Sequence, residues 1–233
     1  LRHFHTFING LIIHHKSVRF YLIRSILKEI EKRYKKRSVF ISGSAEIYAP
    51  YERFEAVEFI HKMSNALIEN NLRVVNGFGW GVGSSVINGA LEAIYSKPLK
   101  YSESQLVLRP FPQFKSGKSE LPQLWEDYRQ KMISLCGISI FVFGNKAKED
   151  QIIEANGVIR EFEISHENGN ICIPVAATEY ASRTIYELII SQPEKYYANP
   201  DMAVKYLKIL ADSKTKLADK IAKLIEFINA LNK

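Results

Sequence analysis

The chain has 233 residues, 46% of them apolar, a net charge of +7 and two cysteines, enough for one large domain, or one domain with an appendage, around a sizeable core. No apolar run approaches the ~20 residues that span a bilayer and no signal-peptide pattern opens the chain, so a membrane is not an expected partner. Cys136 and Cys172 stand far apart in or beside apolar runs, without C-x-x-C spacing or paired histidines; they read as buried free thiols of a reducing, cytoplasmic compartment.

Residues 1–37 read as helix, with Phe4, Phe7, Leu11 and Ile12 and then Val18, Tyr21, Leu22, Ile26, Leu27 and Ile30 forming an apolar stripe. The chain opens on Leu1 rather than methionine, which reads as a fragment whose upstream part is missing. His3, His5, His14 and His15 have no acids or cysteines beside them to complete a metal site, and are expected on the packing surface of that upstream domain. Lys and Arg gather between Arg24 and Arg37, at a charged connector, Leu27 to Arg37. No aromatic residues interleave a basic patch as single-strand stacking requires, so nucleic acid is not the expected partner.

A second domain, residues 38–233, opens with the strand SVFISGSA, Ser38 to Ala45, closing on Gly43 and Ser44. Ala56 to Asn70 is an amphipathic helix, and Leu72 to Asn76 the next strand. It runs into NGFGWGVGSSVINGALE, with glycine at positions 77, 79, 81 and 83 and a helix behind it. Glycine admits positive φ and close approach by a ligand, and the helix N-terminus would present free N–H groups to an anion. Gly77, Phe78, Gly79, Trp80, Gly81, Gly83 and Ser84 are therefore candidate ligand contacts; a tight turn without a ligand is the competing reading. The stretch is not the dinucleotide fingerprint, because the third glycine of G-x-G-x-x-G falls on Val82 or Ser84, and no acid ends a strand about twenty residues on.

Gln105 to Arg109 reads as a short strand and PFPQFKSGKSELP as a surface loop. Gln123 to Leu135 is a helix, and Ile138 to Phe143 a continuous apolar strand of the kind found at the centre of a parallel sheet. That strand ends at Gly144, Asn145 and Lys146. A helix from Glu154 to Glu167, a strand from Asn170 to Ala176 and helices over Arg183 to Ile190, Ala203 to Asp212 and Lys216 to Leu231 complete the chain. Strands alternating with helices predict an α/β fold, a Rossmann-like parallel sheet flanked by helices. Its three small-residue strand ends fall on one edge, where such sheets bind ligands. Lys146 suits phosphate there, Arg109 and Arg129 are further cations, and Glu161 could accept hydrogen bonds from ribose hydroxyls; each has an ordinary surface role as its alternative. Ser44, Ser84 and Ser85 have no base and acid near them in sequence, so binding is better supported than catalysis. The apolar stripes of the first and last helices predict self-association, most simply as a symmetric dimer.

SVFISGSA, LRVVNGFGWGVGSSVINGALEA, IFVFGNK and the helix NGVIREFE together resemble the SLOG group, Rossmann-like domains related to the LOG phosphoribohydrolases. With the loop RPFPQ and the spacing from GNK to REFE, they are most similar to the SLOG domain of the NAD-degrading effectors of Thoeris anti-phage defence. The resemblance implies that residues 1–37 end a sirtuin-like domain. It further implies a domain that binds a cyclic ADP-ribose isomer made by a TIR-domain partner protein, with Arg129, Lys146 and Glu161 at ligand-contacting positions and NAD as substrate of the upstream domain. Where the LOG hydrolases carry P-G-G-x-G-T-x-x-E, this chain has Phe143, Gly144, Asn145 and Lys146 and a longer segment before Glu161. That departure favours a sensor without a catalytic set or resident cofactor; a LOG-like nucleotide phosphoribohydrolase is the alternative.

Overall fold

The computed structural model describes residues 19–31, 33–115 and 120–232. Contacts divide the chain into a unit ending at Lys35 and one beginning at Lys36. In the first, residues 19–31 and 33–35 are helical, with Glu29–Arg33 and Glu31–Lys35 paired across one turn and with Phe20, Ile23, Leu27, Ile30 and Tyr34 exposed. The histidines at 3, 5, 14 and 15 lie outside the described residues.

The second unit is built on a five-stranded parallel sheet whose spatial order is β3-β2-β1-β4-β7. Its strands are β1 (Ser38–Ser44), β2 (Arg73–Asn76), β3 (Leu106–Leu108), β4 (Ile138–Phe143) and β7 (Ile171–Pro174). The helices are α1 (Arg53–Glu69), α2 (Gly83–Ser96), α3 (Leu121–Ile133), α4 (Asn156–Glu167), α5 (Ala181–Ser191), α6 (Pro200–Ala211) and α7 (Leu217–Leu231). The chain first builds outward from β1 through β2 to β3, then returns to lay β4 on the other side of β1, with Val39 opposite Ile138 and Ser44 opposite Phe143. The strand order therefore reverses between β1 and β4, and a crevice opens at their carboxyl ends.

Alternate residues of the central strands feed the two faces. Val39, Ile41 and Val74 pack with Ile60, Met63 and Val86 of α1 and α2; Phe40 and Val75 pack with Met132 and Ile133 of α3 and Ile164 of α4. Burial of each such side chain contributes about 1.5–3 kcal/mol. Helices α1 and α2 approach closely because Gly89 has no Cβ; one there would stand 2.0 Å from the His61 carbonyl oxygen. The α7 stripe expected to drive self-association is spent within the chain: Leu217, Leu224 and Ile228 are fully buried, and Ile221, Ile225 and Leu231 pack against the same core.

Two strands have no counterpart in the sequence reading. The segment after β4 is an antiparallel hairpin, β5 (Asn145–Lys148) and β6 (Gln151–Glu154), outside the main sheet. Among the described residues, no helix is long and apolar enough to cross a membrane.

Candidate functional site

The ends of β1, β2 and β4 meet at the crevice. Asn76, the last residue of β2, is buried; its Nδ2 donates to the Ile41 carbonyl at 3.0 Å and its Oδ1 accepts the Phe78 N–H at 2.8 Å. That clamp holds Phe78 at φ +60°, a left-handed conformation. The glycine turn then crosses directly over the end of β1. A Cβ on Gly79 would lie 2.0 Å from the Gly43 carbonyl oxygen, and one on Gly81, at φ +69°, 2.0 Å from that of Ala45. The turn is tied down by the Ala45 N–H on the Trp80 carbonyl and the Tyr48 hydroxyl on the Gly81 carbonyl, both at 2.8 Å.

These glycines thus serve the approach of backbone to backbone. Much of the donor capacity expected of the turn is also spent internally, since the Val82 and Gly83 N–H groups both donate to the Gly79 carbonyl, at 3.1 and 2.7 Å. Among the described residues, the Ser84 and Ser85 N–H groups of the first turn of α2 carry no hydrogen bond and remain available.

Two cavities open at this edge. The smaller, about 260 Å³, is lined by Ser42, Gly43, Ser44, Gly77, Gly79, Phe111, Arg129, Lys146, Asn156 and Glu161. The larger, about 1200 Å³, takes in Tyr48, Tyr51, Arg53, Gly77, Phe78, Gly79, Trp80, Gly81, Ser84 and Phe111. Eleven of the thirteen candidate residues of the sequence therefore line one or both cavities. Gly83 lines neither; it is buried at the start of α2, where a Cβ would meet Phe78. Arg109 is also absent from both: it is exposed past the end of β3, its N–H bonded to the Asn76 carbonyl at 2.9 Å.

The small cavity concentrates the charge. Glu161 points from α4 to β1, where its Oε2 accepts the Ser42 hydroxyl at 2.5 Å and its Oε1 lies 3.5 Å from Arg129 Nε. It is buried rather than a solvated helix acid. Burial pushes its carboxyl above the ordinary carboxylate range, against the Ser42 hydrogen bond and the Arg129 charge. Arg129 Nε is buried without a hydrogen-bond partner, while its guanidinium carbon lies 5.1 Å from the centre of the Phe111 ring. Gly157 leaves room for it, since a Cβ there would be 3.1 Å from Arg129 Nη2. Lys146 projects from β5, its Nζ 2.5 Å from Asn156 Oδ1. Two cations, a hydroxyl and a buried carboxyl thus face a space of about 260 Å³, and Arg129 has a donor to spare.

Sequence reasoning passed over Ser42, Phe111, Tyr48, Tyr51, Asn145 and Asn156. Asn145 is the fastener of the site: buried, it accepts the Glu46 and Ile47 N–H groups on Oδ1 at 2.8 and 3.1 Å and donates Nδ2 to the Ile47 carbonyl at 2.9 Å. An amide at a strand end, able both to donate and to accept, was the available signal. Phe111 belongs to a loop read as surface, yet it packs against the core cluster of Met132 and Ile133. Among the described residues, no group of three or more His, Cys, Asp or Glu could hold a metal ion.

The chain matches the Sir2- and TIR-associating SLOG family over residues 22–231. Its relatives include proteins named NAD(+) hydrolase ThsA from Bacillus cereus (strain MSX-D12), 40% identical over 211 residues, and from Cytobacillus dafuensis, 37% identical over 211 residues. Each alignment covers 90% of this chain, and 44% and 43% of the respective relative. A third, from Acinetobacter baumannii (strain 532279), is 32% identical over 213 residues, 87% of this chain and 44% of its own. The chain thus spans under half the length of the curated relatives it matches.

Proposed function

Because the chain belongs to the Sir2- and TIR-associating SLOG family, we propose that it is a regulatory sensor domain. It binds a cyclic ADP-ribose-type nucleotide in the β1–β4 crevice and thereby switches on an attached NAD-degrading domain in anti-phage defence. The observation that carries this reading is the convergence of Arg129, Lys146, Ser42 and Glu161 on one small cavity at the point where the strand order reverses. Two cations suit the anionic pyrophosphate, and Glu161 with Ser42 suits ribose hydroxyls. The name NAD(+) hydrolase carried by the relatives supports the attached activity, and the family's association with TIR domains supports a TIR-domain protein as source of the signal.

Binding is favoured over turnover by the segment after β4. Where LOG hydrolases have a glycine loop, this chain has the β5–β6 hairpin, with the Asn145 side chain fully engaged in holding the 46–47 backbone. Self-association belongs to the same reading, through the exposed apolar face of residues 20–34 rather than through α7. Light scattering with and without ligand should give a dimer or larger species, and monomer under both conditions would remove that part.

Calorimetry against cyclic and linear ADP-ribose isomers, NAD and AMP tests the core of the proposal. A cyclic isomer should bind at least about tenfold tighter than the linear compound, without release of nicotinamide or base. Sustained hydrolysis that is lost in Glu161→Gln would replace the sensor with an enzyme.

A further inference from the structure

The two cavities differ in chemistry yet meet along one edge, sharing Gly77, Gly79 and Phe111. The small one gathers the charged side chains of Arg129, Lys146 and Glu161 beside Ser42 on an otherwise largely apolar lining. The large one is walled by Tyr48, Tyr51, Phe78 and Trp80, a lining that accommodates a flat aromatic ring. Since glycine has no side chain, Phe111 is, among the described residues, the side chain common to both.

Several contacts fix that ring. It tilts against Tyr128 with centroids 6.1 Å apart, and its edge would be 2.8 Å from a Cβ on Gly77, so it fills space that only a glycine leaves. The backbone beneath it is anchored by Trp125 Nε1 on the Pro112 carbonyl at 2.7 Å and Gln113 Nε2 on the Phe111 carbonyl at 2.9 Å. The ring in turn supports Arg129, whose guanidinium carbon is 5.1 Å from its centroid, within cation–π range. Glu161 holds that arginine only loosely, at 3.5 Å, and Arg129 Nε has no hydrogen-bond partner. The guanidinium is thus aimed by an aromatic face more than by hydrogen bonds.

We infer that Phe111 is a positioning and specificity residue that joins the two cavities into one bipartite site. It orients Arg129 toward an anionic group in the small cavity and forms the wall against which an aromatic base lies in the large one. The site therefore selects a nucleotide over a sugar phosphate of the same charge. This rests on the proposed nucleotide reading of the small cavity and adds the residue that couples it to its neighbour.

The test is calorimetry with three probes, cyclic ADP-ribose, ADP-ribose and ribose 5-phosphate, on the wild-type chain and on Phe111→Leu and Phe111→Tyr. Wild type should prefer its better nucleotide over ribose 5-phosphate by at least tenfold. Phe111→Leu should lose most of that preference, weakening the nucleotide about tenfold and ribose 5-phosphate by less, and Phe111→Tyr should restore it. Phe111→Met serves if Phe111→Leu does not fold. A leucine or methionine variant that keeps the wild-type ratio, or weakens all three probes equally, overturns the inference while leaving the sensor reading intact. Wild type that binds none of the three overturns both, and that result is read before any variant is made.

Discussion

Two cations at different ends of the second unit, one buried and one partly so, show how the same charge can build a fold or wait for a ligand. Lys220, on α7, is 1% exposed, and its Nζ donates to the Ile209 carbonyl at 3.2 Å, the Asp212 carbonyl at 2.5 Å and the Thr215 hydroxyl at 2.5 Å. Its three donors are matched by three acceptors at the C-terminal end of α6, where the helix dipole favours a positive charge. Burial pulls its ammonium below the ordinary lysine range, with Asp212 and Asp219 opposing. Arg129 is only partly buried, its side chain 18% exposed, and it has an unpartnered Nε, a 3.5 Å ion pair and an aromatic face. A cation whose donors are all used acts as a strut; one with donors left over has capacity for something that comes from outside. The cost of an unpaired buried donor is tolerable where the ligand repays it.

That contrast can be broken by exchange of roles. Lys220→Met strands the carbonyls of Ile209 and Asp212, and should cost about 3 kcal/mol of stability in urea unfolding, with unchanged affinity for the nucleotide in the protein that remains folded. Arg129→Ala should do the reverse: affinity falls ten- to a hundredfold, about 1.5–3 kcal/mol, as for a charge-assisted hydrogen bond, and Lys146→Ala should behave alike. The stability of Arg129→Ala should fall by only about 1 kcal/mol, because Glu161 can answer the lost charge by binding a proton. Equal stability losses in Lys220→Met and Arg129→Ala would erase the distinction.

Smaller changes sharpen it. Thr215→Val removes one of three acceptors from Lys220 and should cost about 1 kcal/mol, measured by the same unfolding curves. The least effect is expected in the pH dependence of stability. Burial raises the folded-state pKa of Glu161 above its ordinary value of 4.5, so its contribution is complete below that value and is lost as pH rises through the raised one. Glu161→Gln, which cannot titrate, should flatten this decline when unfolding free energies are compared across the carboxylate range.

The sheet was legible because its signals are local. Ile138 to Phe143 is apolar at five of six positions, and the strand coincides with the expected bounds; β1, β2 and β7 fall within their expected spans. The hairpin was not legible. NKAK and QIIE are short, and seven of their eight residues escape full burial, so neither the apolar run nor the alternation that marks a strand is present. The glycine turn was recognised as a turn, but the reason for its glycines was not, since the carbonyl oxygens of Gly43 and Ala45 that exclude a Cβ come from thirty-odd residues upstream. Arg109 stands apart from both cavities for a related reason. Its nearness to the strand end is a fact of sequence, whereas the Asn76 bond that fixes its backbone leaves the side chain exposed.

The hairpin has a consequence for exchange with solvent. Glu161 stands on a helix packed against β1 and β4, whereas Lys146 rides on a two-stranded ribbon whose residues beyond Asn145 are partly or wholly exposed. Such ribbons are marginal alone, and local opening draws on the least-packed parts of a fold. Backbone amides of residues 146–153 should thus exchange deuterium sooner than those of β1 and β4, and a ligand gripping Lys146 should slow them selectively. Protection confined to this ribbon would record occupancy of the crevice without any change in the sheet.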